Sequence, residues 1–157
     1  MHLVLRLLQN VWLKKLRRPV FVGFVCKVNM TFEELDEPAK IAEGAEIGQM
    51  VREMLALPGA EGIAGFSIHH TKIWATGHAC RAVRSAGWKG VLGAYPDHGD
   101  FEMPHWQFHE LPGDVLADAA REWVATANVG MLGGCCGIGP EHIRALAAVC
   151  RESRAAA

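Results

Sequence analysis

The sequence predicts an α/β fold built on a parallel sheet, on the scale of half a (β/α)8 barrel. Three observations carry this prediction. Four short apolar runs, at residues 19–26, 63–68, 91–95 and 129–132, alternate with stretches whose apolar residues recur at helical spacing, and strict alternation of strand and helix implies a parallel sheet. The first run is apolar at nearly every position, as in a strand covered on both faces. The chain has 157 residues and four such units, whereas a complete eight-unit barrel takes about 250.

Composition narrows the function classes. Half of the residues are hydrophobic and the formal net charge is −1, which fits a globular domain and offers no basic surplus for nucleic acid. No apolar run approaches the roughly 20 residues of a membrane span. The five cysteines are odd in number and lack the spacing of a disulfide framework, so a reducing, cytoplasmic setting is expected.

The elements follow in order. Residues 1–18 contain no acid and carry Arg6, Lys14, Lys15, Arg17 and Arg18, with Leu5, Leu8, Trp12 and Leu16 on one helical face. Such a segment reads as a solvated amphipathic helix, with a mitochondrial leader as the alternative. A partial barrel domain is expected over residues 19–157. After the first strand comes a polar loop over 27–43, then a helix with Ile47, Val51, Met54 and Leu55 on one face. The second strand, 63–68, leads to a helix from about Thr76 to Ala86, with Gly87 placed to end it. The third strand, 91–95, opens into a loop over 96–113 rich in His, Trp, Pro and Asp. Val115, Ala119, Trp123 and Ala127 mark the next helix. The last strand and a helix over 140–150 close the chain, with Pro140 at the first helical position and Glu141 in the first turn.

Between that last strand and helix lies Gly133-Gly134-Cys135-Cys136-Gly137-Ile138-Gly139-Pro140-Glu141-His142-Ile143. Adjacent Cα atoms sit about 3.8 Å apart, short of the usual disulfide range of about 4.4–6.8 Å. The glycines permit backbone departures that turn both sulfurs toward one point, and a soft metal, zinc first, suits that point. Two small buried residues in a tight turn are the plainer reading.

The full string resembles the C-terminal signature of the homocysteine S-methyltransferase family. The resemblance covers roughly residues 19–152 and implies the C-terminal half of the barrel, with residues 19–26 as strand five and the other three runs as strands six to eight. It also implies methyl transfer from a donor cation to homocysteine or a related thiol, as in methionine biosynthesis, with Zn2+ held by Cys135 and Cys136. The family takes a third ligand from a cysteine at the end of strand six. Here that strand ends Gly65-Phe66-Ser67-Ile68-His69-His70-Thr71, and a Cys2His site with an open position is a chemically sound substitute. Strand alternation puts Ile63, Gly65, Ser67 and His69 on the inner face, so His69 is the expected third ligand, with His70 the other candidate and Cys26 a remoter one. Two loop histidines touching water are the alternative. The Tyr95-Pro96-Asp97-His98-Gly99 segment resembles a family segment, which places Tyr95 and Asp97 near the substrate pocket unless they serve only to close a turn. Half a barrel exposes sheet edges and apolar core, so a second half, from another copy or another chain, is the expected partner. A non-catalytic relic or interaction module that keeps this fold is the other functional reading.

Overall fold

Four parallel strands run in chain order across one sheet, and a helix follows each of them. The computed structural model describes residues 19–26, 37–108 and 110–156. The basic segment expected over 1–18 and most of the polar loop after the first strand lie outside the described residues. Strand β1 (Val20–Val25) pairs with β2 (Ile63–Lys72), β2 with β3 (Val91–Asp97), and β3 with the short β6 (Met131–Leu132). The helices are α1 (Ile47–Leu55), α2 (Ile73–Ser85), α3 (Gly113–Ala127) and α4 (Pro140–Ala155). A small antiparallel hairpin, β4 (Asp100–Glu102) and β5 (His105–Gln107), sits between β3 and α3.

The period-two alternation of the strands separates two unlike faces. On one, Phe24, Phe66, Ile68, Leu92 and Ala94 are buried beneath the helices, whose own contributions include Val51, Met54, Val83, Leu116, Trp123 and Leu146. Phe66 stacks on Phe24 at 5.7 Å between ring centroids and meets Trp88 edge-on at 4.9 Å. Its complete burial is worth about 1.5–3 kcal/mol. The register puts Phe21, Gly23 and Val25 of β1 beside Gly65, Ser67 and His69 of β2, and those beside Val91, Gly93 and Tyr95 of β3. Among the described residues no helix covers this second face, and Phe21, Val91 and Val25 are 51, 41 and 37 % exposed.

Several boundaries differ from the sequence expectation for local reasons. Strand β2 runs on through polar residues to Lys72, and α2 starts at Ile73 rather than near Thr76. Thr71 and Thr76 hold this junction. The Cys26 N–H donates to Thr71 Oγ1, Thr71 Oγ1 donates to the His69 carbonyl, and Thr76 Oγ1 donates to the carbonyls of Thr71 and Lys72. The last strand is only two residues long, yet Gly130 and Gly133 extend its pairing by donating to the carbonyls of Leu92 and Ala94. The loop over 96–113 contains the hairpin, whose three-residue strands are too short to stand out as a periodic pattern. Gly87 ends α2 in the left-handed region as expected, and Asn128 does the same for α3.

Candidate metal centre

The end of β2 builds the first part of the site. Regular alternation would turn His70 toward the helices, opposite His69. Instead His70 has φ +44°, a left-handed conformation that a non-glycine residue holds only when its surroundings enforce it. The β2–β3 pairing is irregular between His69 and Lys72, and the Thr71 and Thr76 bonds fix the chain on either side. That break in the strand redirects the imidazole.

The second part is the turn after β6. Cys135 donates its N–H to the Pro96 carbonyl at 2.8 Å, and the Cys136 carbonyl accepts from His98 N–H at 2.7 Å. The turn is thereby laced to the end of β3. Gly137 has φ +76°, and a Cβ there would collide with the His98 carbonyl, so both conformation and space demand glycine. Downstream, Pro140 opens α4, and His142 Nδ1 accepts from Gly139 N–H at 2.9 Å while Nε2 donates to the Leu111 carbonyl at 2.8 Å. Both ends of the cysteine turn are therefore anchored.

His70 and the two cysteines converge. Cys135 Sγ lies 3.6 Å and Cys136 Sγ 3.7 Å from His70 Nδ1, and the sulfurs are 3.8 Å apart. These three form the candidate metal-holding group among the described residues. The spacing suits the donor set. An ion about 2.3 Å from sulfur and about 2.1 Å from nitrogen in tetrahedral geometry separates two sulfurs by about 3.8 Å, and sulfur from nitrogen by about 3.6 Å. Two soft sulfurs and one imidazole match zinc chemically. Burial, reinforced by Cys135 and Asp97, raises the Cys136 thiol, and a bound cation would favour its thiolate.

The expected third ligand was His69; the structure brings His70 to the cysteines instead. His69 obeys strand alternation and stays on the open face. Its Nε2 meets Ser67 Oγ at 2.7 Å, and its ring stacks on Tyr95 at 4.7 Å and 8°. The alternation argument held from Gly65 to His69 and failed at His70, where the backbone leaves the strand conformation; Ile63, also expected on the inner face, packs in the core beyond a register irregularity. Tyr95 packs its ring against Gly133, where a Cβ would not fit. Asp97 is buried beside the centre. Its Oδ2 lies 3.6 Å from His70 Nδ1 and its Oδ1 lies 4.0 Å from Lys72 Nζ, without a hydrogen-bond partner. Burial pushes the Asp97 carboxyl up, opposed by Lys72 and His70. Lys72 also pairs with Asp100 at 2.9 Å and donates to the Gly99 carbonyl, tying β2 to the hairpin.

The hairpin, part of the His- and Trp-rich loop after β3, adds aromatic contacts to the centre. Trp106 meets His70 edge-on at 5.6 Å and stacks on Phe108 at 6.0 Å. The remaining cysteines stand apart from the cluster. Cys26 and Cys80 are buried in the core, where desolvation lifts their thiols to about 11 and about 12, and Cys26 is no ligand candidate. Among the described residues, no helix is long and apolar enough to cross a membrane. Compared with known families, the chain matches the model described as homocysteine S-methyltransferase over residues 4–150.

Proposed function

The chain belongs to the homocysteine S-methyltransferase family, and from that premise we propose that it is a zinc-binding domain for methyl transfer to a thiol. The observation that carries the reading is the triangle of His70, Cys135 and Cys136 with sides of 3.6 to 3.8 Å. Cys135 and Cys136 would hold the metal as thiolates and His70 as a neutral imidazole, leaving one position for the acceptor sulfur. Zinc, when bound, lowers the pKa of a coordinated thiol so that it is a thiolate at neutral pH, the form that attacks a methyl carbon. The two protein thiolates balance the charge of a dication. His70 is held in place by its strained backbone and by the edge of Trp106, which limits water on that side. Asp97 lies beside His70 and Tyr95 against Gly133 of the turn, and both are proposed to face the substrate pocket.

In this reading the parallel sheet is the C-terminal half of a (β/α)8 barrel, and its uncovered face is the barrel interior. Exposed Phe21, Val25 and Val91 on that face support pairing with a complementary half. Zinc content per chain, measured after purification without chelator, tests the proposal. About one zinc per chain is expected, lost in Cys135→Ser and in His70→Ala and kept in His69→Ala. A folded chain that retains no zinc would leave the alternative, a non-catalytic module that keeps the fold. Retention in His70→Ala with loss in His69→Ala would return the ligand role to His69.

A further inference from the structure

The end of β2 turns about Thr71, whose side chain is 3 % exposed and fully engaged. Its hydroxyl donates to the His69 carbonyl at 2.7 Å and accepts from the N–H of Cys26, at the end of β1, at 3.1 Å. The first bond closes a ring around His70, the residue between donor and acceptor, and His70 is the residue with φ +44°. The second bond ties that ring to the neighbouring strand. Just beyond, the buried Thr76 Oγ1 donates to the carbonyls of Thr71 and Lys72 at 3.2 and 3.0 Å. The chain leaving the bend is thereby fixed to the first turn of α2.

A buried threonine kept for its shape alone would not need its hydroxyl. Here one oxygen serves as donor and acceptor at once, and both partners are backbone groups at strand ends. Without that oxygen the bend loses its local support. His70 would then favour the extended conformation of a strand residue, and alternation would turn its imidazole to the helix side, away from Cys135 and Cys136.

We infer that Thr71 is a positioning residue for the metal-holding group: its hydroxyl sets the His70 imidazole against the two sulfurs, and so makes His70 rather than His69 the third ligand. Its effect on the metal passes through His70. This inference rests on the metal reading above, in which His70 joins Cys135 and Cys136.

Cobalt(II) binding to the metal-free chain, followed by visible absorption, tests this without turnover. Thr71→Val is expected to weaken cobalt binding about tenfold, since the hydroxyl bonds are lost and the backbone strain at His70 is released. Thr71→Ser, which keeps the hydroxyl, is expected to stay within about threefold of the wild type. A double-mutant cycle separates positioning from general damage. In a His70→Ala chain, Thr71→Val is expected to change the affinity by less than about twofold, because no imidazole is left to place. An equal loss in both backgrounds, or no loss in the chain that keeps His70, overturns the assignment while leaving the metal site standing. Amide exchange at Cys26 in the wild type needs no variant to fold. Strong protection is expected there, and exchange at the rate of an unfolded chain overturns the inference, because the hydroxyl then holds nothing across the strands. A wild type that binds no cobalt overturns the metal reading, and this one with it.

Discussion

The two faces of the sheet use the same four strands for opposite purposes. The helix-covered face carries Phe24, Phe66, Ile68 and Leu92, large side chains interlocked with aromatic and aliphatic partners. The open face carries three glycines on two successive levels, exposed Phe21 and Val91, and one polar cluster at the rim that leads to His70, Cys135 and Cys136. Stability is concentrated where side chains are large and dry. The candidate metal-holding group lies where glycine clears space and the backbone departs from ideal strand geometry. The cysteines repeat the contrast: Cys26 and Cys80 are desolvated core residues with thiols lifted to about 11 and about 12, whereas Cys135 and Cys136 are partly open and face a histidine.

The sharpest way to break this contrast is to truncate matched residues on the two faces. Phe66→Ala should cost about 3–5 kcal/mol in denaturant unfolding, through lost transfer energy and an unfilled cavity. Val91→Ala should stay within about 0.5 kcal/mol, since that side chain remains well exposed. Comparable losses at the two positions would mean that the open face is covered in the protein as studied, as pairing with a second half would require.

Thiol accessibility sharpens the cysteine contrast. In the folded, metal-free chain at pH 8, iodoacetamide should modify Cys135 and Cys136 while Cys26 and Cys80 stay unmodified until denaturant is added, because alkylation needs an exposed thiolate. Zinc should protect the first pair. Mass mapping of the labelled peptides checks both, and early labelling of Cys80 would contradict the dry core described here.

The smallest effect concerns Asp97, the carboxylate between the two regions. Burial raises its pKa in the folded state, so the folded chain binds a proton more readily than the unfolded one. Its ionisation therefore destabilises the fold at neutral pH, and that penalty disappears as pH falls below the folded value toward the unfolded one. Asp97→Asn should modestly raise the unfolding midpoint of the metal-free chain at pH 7. The advantage should vanish in acid, below the carboxylate range. An unchanged difference between pH 7 and pH 3 would show that charge is not the cause.

Much of the fold was legible because hydrophobic periodicity is a local property. The four apolar runs, the Gly87 stop and the Pro140 start all follow from side-chain chemistry within a few residues. The hairpin at 100–107 was not legible, since three-residue strands stabilised by their surroundings leave almost no pattern. Trp106 stood out only as one residue of a His- and Trp-rich loop, and its contact with His70 depends on the hairpin.

What the sequence by itself determined is the class of fold, the family carried by the Gly-Gly-Cys-Cys-Gly turn, and the cysteine pair as part of the candidate metal-holding group. What only the tertiary structure decided is which histidine joins that pair. His69 and His70 are identical in composition and adjacent in sequence, and alternation favoured the first. The choice rests on one left-handed backbone angle at His70, held by hydroxyl bonds from Thr71 and Thr76 and by an irregular pairing with β3. Such an angle is held by local hydroxyl bonds together with two distant contacts, the pairing with β3 and the Cys26 N–H bond to Thr71, rather than by the preference of the residue that adopts it.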